Sequence, residues 1–407
     1  MPVNSRSNAV VQPLEKVDSF EAFRPNRITA ALLMAIGGIP AWAAADAGTN
    51  NITLHAGMPT STSMVTNGTV TDITTSTVRG NTGLNSFGHL NVNAGNTVNL
   101  HVPAGKANLV NLVHDSRTVI NGTLNGLKDG SIGGNIIFAD PHGLVVGASR
   151  VVNVGSLTVT TPSTAQMILM AATIASGSDG ASDAMVADLV AGKYNAGSGD
   201  VSIEGKVNSA GSVNLFAASA VVARHAQADA GAKVFQATVN TAGLVDTTAA
   251  VRQNGNILIV GSEDVAIAGE LRALMADGGG GGVVVNAPQL TVESTGKINT
   301  RALAESQSVS GNISLQANSD LSFSAVNADG SKIDDVAQLE AAIKQQSKPN
   351  LGSSHSLAKI DIKAGAVLDA SHADASKAGN IRVEALAVDK QLGGYARRIR
   401  RSTSLAA

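Results

Sequence analysis

Three groups of residues have types that could do chemistry. His114, Asp115 and Ser116 are the side chains of a nucleophile relay, in which a hydroxyl attacks, an imidazole carries its proton and a carboxylate orients the ring. They are consecutive, however, and a triad needs side chains that converge from separate segments, so the stretch reads as a turn. Asp361, Asp369 and Asp374 are close enough in sequence to meet across neighbouring strands. Paired carboxylates of that kind cleave glycosidic bonds as acid with base or nucleophile, or hold a hard metal ion. Their polar, turn-rich surroundings favour solvated turn carboxylates instead. Gly278–Gly282 lacks the Lys-Ser/Thr of a phosphate loop and reads as a flexible turn. The other histidines, His55, His89, His101, His142, His225, His355 and His372, are scattered and make no His-Glu-x-x-His pair. No catalytic residue, metal site or cofactor is expected, and the chain does not read as an enzyme.

Function must then lie in what the chain builds. Of its 407 residues 43% are hydrophobic but only 2% aromatic, so a core must be made of Val, Ile, Leu and Ala. The formal charge of -2 argues against nucleic acid, which needs clustered Lys and Arg. The dense basic cluster, Arg397, Arg398, Arg400 and Arg401, falls in 391–407, read as a flexible, solvated tail. With no cysteine, disulfides and thiolate metal sites are excluded. That absence suits a chain exported unfolded through an oxidising compartment.

Residues 1–45 differ from the rest. Arg24 and Arg27 precede an apolar run, Ala30 to Ala45, too short to span a bilayer and ending in small residues. This is the pattern of a secretory signal peptide, with cleavage after Ala43 or Ala45, Ala45 being preferred. After it the chain keeps one rhythm: a Gly or Asn turn, then a strand of period two, as in Gly199-Asp-Val201-Ser-Ile203 and Gly311-Asn-Ile313-Ser-Leu315. A recurring unit of roughly 20–30 residues signals a solenoid, because one coil cannot bury its own apolar face while a stack can. The expected fold is all-β: a right-handed parallel β-helix, a single-stranded solenoid with short loop or helix insertions. About 15 coils at ~4.8 Å each would make a rod on the order of 70 Å long. Two stretches break the rhythm. Ala165–Tyr194 reads as a short helix or a loop, and 334–346 as a helical insertion, with Val336, Leu339 and Ile343 on one face.

Four pieces recur in a telling order: Asn85-Ser-Phe87, Asn108-Leu-Val-Asn-Leu112, Asp140-Pro-His-Gly-Leu144 and Val154-Gly-Ser-Leu157. Their order and spacing resemble the secretion domain of two-partner-secretion exoproteins, the filamentous-haemagglutinin-like adhesins of Gram-negative bacteria. Asn108–Leu112 stands where the family has an Asn-Pro-Asn-Leu turn, without its Pro. Asp140–Leu144 stands where it has Asn-Pro-Asn-Gly-Ile, with Asp140 and His142 replacing both Asn. The resemblance implies a secretion domain over 46–260 and a β-helical shaft over 261–390. It implies a secreted or cell-surface adhesin-like exoprotein that crosses the inner membrane through the Sec translocon. From the periplasm it would leave through an outer-membrane β-barrel transporter bearing POTRA domains. A receptor on a host-cell or bacterial surface would be the final partner. Asn85, Phe87, Asn108, Leu109, Asn111, Leu112, Asp140, Pro141, His142, Gly143 and Leu144 would carry the export address. Within that set Pro141 and Gly143 are expected to be structural, and exposed Asn residues to carry recognition. Two alternatives are a secreted β-helical polysaccharide-active enzyme and the delivery stalk of a contact-dependent toxin or haemolysin.

Overall fold

The computed structural model describes residues 48–58, 60–224, 226–230, 234–235, 250–251, 255–318, 358–389 and 394–398. The expected signal peptide with Ala45, and the helical insertion over 334–346, lie outside the described residues. Among the described residues the fold is mostly β, with parallel strands and two α-helices. Strands stack in three columns, and each circuit of the chain adds one segment to each column. In the first column Gly83, Leu109, Ile136, Leu157, Val213, Ile257, Val283, Ile313 and Ile381 lie in parallel register. In the second the sequence is Val92, Ile120, Val146, Ile203, Val222, Ile267, Val292 and Ile362. In the third it is Thr71, Val98, Leu124, Val152, Val207, Ala228, Leu271, Ile298 and Leu368. Most of these aliphatic side chains belong to one continuous core.

The third column holds nine strands among the described residues, fewer than the fifteen coils expected. The shortfall has a physical cause. Each circuit needs three strands and three turns, so the aligned positions Thr71, Val98, Leu124 and Val152 are 26 to 28 residues apart, while Val152 to Val207 takes 55, Ala228 to Leu271 takes 43 and Ile298 to Leu368 takes 70. At ~4.8 Å per step the nine rungs span about 40 Å.

The glycines that head the strands have a reason beyond turn propensity. Gly255, Gly281, Gly311 and Gly379 sit two residues before aligned strand positions of the first column. A Cβ on Gly281 would collide with the Gly255 carbonyl, one on Gly311 with that of Gly281, and one on Gly379 with that of Gly311. The glycine run is therefore close-packed against neighbouring backbone and not merely a flexible turn.

Antiparallel pieces finish the stack at its N-terminal end. β1 (Asn51–Leu54) pairs with β5 (Thr82–Val92), β2 (Thr62–Asn67) with β3 (Val70–Thr75), and β4 (Val78–Arg79) also with β5. They cover edges that would otherwise recruit another chain. At the far end Gly394–Arg398, within the 391–407 segment, forms a strand antiparallel to Ile381–Asp389.

Ala165–Tyr194 resolves into two helices, α1 (Thr164–Ser176) and α2 (Asp179–Val190), followed by a short loop to Tyr194. Ser163 and Ser178 cap them, accepting from the Gln166 and Ala181 N–H groups. Ser163-Thr-Ala-Gln166 is the sequence form of a capping box. The helices lie over the outer face of the first column. There Leu84, Val110 and Ile137 are in register, as are Leu112 and Ala139, and all pack with Met167, Met170, Ile174, Val186 and Leu189. Strands buried on both faces lose the apolar–polar alternation. This is why Asn108-Leu-Val-Asn-Leu112, an apolar segment and here a strand, β6 (Asn108–Val113), shows no clean alternation.

Candidate functional site

Asp140 opens a tight turn and is fully buried. Its carbonyl accepts from the Gly143 N–H at 3.0 Å, closing a four-residue turn with Pro141 in the second position. Its carboxylate Oδ1 accepts from the His142 N–H at 2.9 Å, and Oδ2 accepts from the Thr118 N–H at 2.8 Å and the Thr118 hydroxyl at 2.7 Å. The turn is thus tied to the preceding circuit. Gly143 has φ +94, and a Cβ there would run into the Asp200 backbone of the next circuit. Leu144 is buried in the core, while His142 is exposed at the tip and the Arg117 guanidinium donates to its carbonyl at 3.0 Å.

The earlier motif residues are mostly interior. Phe87, Leu109 and Leu112 have no exposed surface. Asn85 and Asn111 are equally buried, so neither is one of the exposed asparagines expected to carry recognition. They align with Phe138 and Val159 of later circuits, both core residues, so their amides point inward. Each is satisfied there. Thr62 Oγ1 donates to Asn85 Oδ1 at 2.9 Å, Asn85 Nδ2 donates to Asn111 Oδ1 at 3.0 Å, and Asn111 Nδ2 donates to the Ile137 carbonyl at 3.3 Å. Asn108 is half-buried and pairs with Asn135 at 2.8 Å. Of the eleven residues, then, the surface shows chiefly Pro141, His142 and part of Asn108.

His114, Asp115 and Ser116 face three different partners. His114 Nε2 lies 3.1 Å from Ser86 Oγ, and its ring stacks on His55 at 4.0 Å. Asp115 is 3.9 Å from His55, and Ser116 Oγ is 2.7 Å from His89 Nδ1. Ser86 is buried, so this is packing rather than an accessible nucleophile. Burial, followed by the adjacent His55, pushes the His114 pKa down to about 4 despite the opposing pull of Asp115. Burial pushes the Asp140 carboxyl up to about 6, against the Thr118 and His142 bonds that favour its charged form.

The two groups have opposite pH linkage. His114 has a lowered folded pKa, so its contribution is full above about 6.5 and is lost as pH falls towards 4. Asp140 has a raised folded pKa, so its contribution is full below about 3.8 and is lost as pH rises through 6. We expect the two slopes to offset each other between about pH 4 and 6 in the wild-type protein. His114→Asn should leave a protein whose melting temperature rises on acidification across that window, and Asp140→Asn one whose melting temperature falls. Parallel melting curves for both variants would refute the assignment.

The carboxylates considered for polysaccharide chemistry are dispersed. Asp361 lies on Lys359–Ile362 in the second column beside Lys359, and Asp369 ends Val367–Asp369 in the third and binds Ser371. Asp374 caps the short helix Ala375–Lys377 through Ser376. Among the described residues no group of three His, Cys, Asp or Glu could hold a metal ion. No described helix is long and apolar enough to cross a membrane.

One constellation was not anticipated. In the third column Asp72, Asn99, Asn125, Asn153, Asn208, Asp229, Arg272, Asn299 and Asp369 stand in one register line. Asn99 donates to Asp72, Asn125 to Asn99, Asn153 to Asn125 and Asn208 to Asn153, each through Nδ2 at 2.9 or 3.0 Å. An ionised Asp72 can only accept, so it fixes the direction in which every later amide points. Asp72 also takes His101 Nε2 at 2.8 Å, and Asp229 takes a two-pronged contact from Arg272 at 2.9 and 2.7 Å. The recurrence of Asn between aliphatic residues, as in Val98-Asn-Leu100 and Val152-Asn-Val154 at matched spacing, was the available signal.

No family model matches the chain, and no curated protein matches it. Among solved structures, the HMW1 secretion domain from Haemophilus influenzae is similar over 82% of this chain and 93% of that one. The sequences are 13% identical and the TM-score is 0.34.

Proposed function

We propose that this chain is a secreted or surface-exposed adhesin-like exoprotein, exported by two-partner secretion through an outer-membrane transporter with POTRA domains. Its body is a right-handed parallel β-helix, the hand being the one that parallel crossovers take almost without exception. The observation that carries this reading is the three-column parallel stack, finished by antiparallel strands at the end where the chain starts. Such a stack adds circuits in order from one end. Each circuit that closes outside the membrane keeps the chain from slipping back. A chain without cysteine cannot be cross-linked by disulfides before it threads.

Burial then divides the motif residues. Asn85, Phe87, Leu109, Asn111, Leu112 and Asp140 have no exposed surface, so a transporter meets them before the circuits close. On the closed protein it meets Pro141 and His142. The test is expression in a Gram-negative host with and without the cognate transporter. Release into the medium should require the transporter, and its absence should leave the protein in the periplasm. Equal release in both hosts would reject the export reading.

A further inference from the structure

The turn Arg79-Gly80-Asn81, between β4 and β5, is held from far along the chain. The Gly80 N–H donates to Asp179 Oδ1 and the Asn81 N–H to Asp183 Oδ1, both at 2.9 Å, across 99 and 102 residues. Arg79 Nη2 donates to the Ala175 carbonyl in the last turn of α1 at 3.2 Å, where a cation also suits the helix dipole. Ser182, buried in α2, donates to the Arg79 carbonyl at 3.4 Å. A Cβ on Gly80 would meet the Asp183 carboxylate at 2.6 Å, so that residue is fitted to the contact. The same turn faces the stack: the Asn81 carbonyl accepts from the Ala107 and Asn108 N–H groups, and Lys106 Nζ donates to the Gly80 carbonyl.

We propose that α1 and α2 form a strap that closes over the first three circuits after they have formed, and that Asp179 and Asp183 fasten it to the Arg79–Asn81 turn. The order follows from distance along the chain. Rung-to-rung bonds in these circuits link residues 26 to 28 apart, whereas the strap reaches back about a hundred. Contacts between near neighbours form before those that close long loops. Helices of 13 and 12 residues are marginal alone in water, so they gain stability on the apolar face they cover. That face, Leu84, Val110, Leu112, Ile137 and Ala139, is covered by Met167, Met170 and Ile174 of α1 and by Val186 and Leu189 of α2.

Hydrogen exchange on the purified full chain tests this without reference to secretion. Asp179→Ala with Asp183→Ala should speed amide exchange about tenfold or more in peptides covering residues 82–92 and 108–113, the cost of a local opening. Peptides covering 283–286 and 313–318 should be unchanged. The Asp179→Asn, Asp183→Asn pair keeps an acceptor oxygen at each site and should restore wild-type exchange. In pulse-labelled refolding, amides of 108–113 and 135–139 should gain protection before those of 79–81. Unaltered exchange in the alanine pair, an equal rise along the whole chain, or protection of 79–81 first would each overturn the strap.

Discussion

Gly143→Ala should be the most damaging single substitution in the turn, lowering stability by about 2–6 kcal/mol. Two independent costs combine. Its φ of +94 is a conformation that a residue with a Cβ adopts at a cost of about 1–3 kcal/mol. The added methyl would also press on the Asp200 backbone, and overpacking of that kind costs about 1–3 kcal/mol more. Asp200 belongs to Asp200–Ile203, the strand stacked on Gly143–Val146, so it cannot withdraw without opening the second column. Guanidinium denaturation should show a lower midpoint with an unchanged slope. Pro141→Ala, which leaves the Asp140–Gly143 bond available, should cost less than about 1 kcal/mol. Equal losses at the two positions would mean that turn stiffness, not close approach, governs the site.

The second large effect lies in the asparagine line. Asn125 is fully buried between Asn99, to which it donates, and Asn153, from which it accepts. Asn125→Ala should cost about 2–5 kcal/mol, because it strands a buried acceptor on Asn99 and a buried donor on Asn153. Asn125→Asp is the more revealing change. The carboxylate can still accept from Asn153, but it sets a negative oxygen against the Asn99 carbonyl oxygen. Burial and that repulsion raise its folded pKa above the ordinary value, so the variant should be most stable in acid and lose stability as pH rises. Protonated, it can donate to Asn99 as the amide did. A thermal melt series from pH 3.5 to 8 reads this directly, and a pH-independent loss would show that the line carries no directed hydrogen bonding.

The columns were legible because their cause is local. An aliphatic residue at every second position and a small residue at each strand head are both written into stretches such as Gly311-Asn-Ile313-Ser-Leu315, and both reflect contacts with the next rung. The Asp140–Gly143 turn was legible for the same reason, since Pro141 and Gly143 fix backbone angles on their own. The cover over Val110 and Leu112 was not, because the helices they face lie more than fifty residues later. An amphipathic strand covered on its second face looks irregular until its cover is known. The inward pointing of Asn85 and Asn111 was hidden likewise: polar side chains read as exposed unless their partners, Thr62 and the Ile137 carbonyl, are already in place. Asp179 and Asp183 gave no local sign at all, since their acceptor role depends on a turn a hundred residues upstream.

The stacking register also bears on how a gene for this architecture can change. Aligned positions recur at 26 to 28 residues from Asp72 to Asn153, and each rung offers the same backbone donors and acceptors above and below. An in-frame duplication of one such stretch inserts a whole floor and leaves both neighbours matched. A one-residue insertion inside a strand turns every following side chain on that strand inside out. Length in such lineages should therefore vary by whole floors beyond Asp200, while the part beneath the two helices, whose span is set by the distance from Arg79 to Asp183, keeps its count.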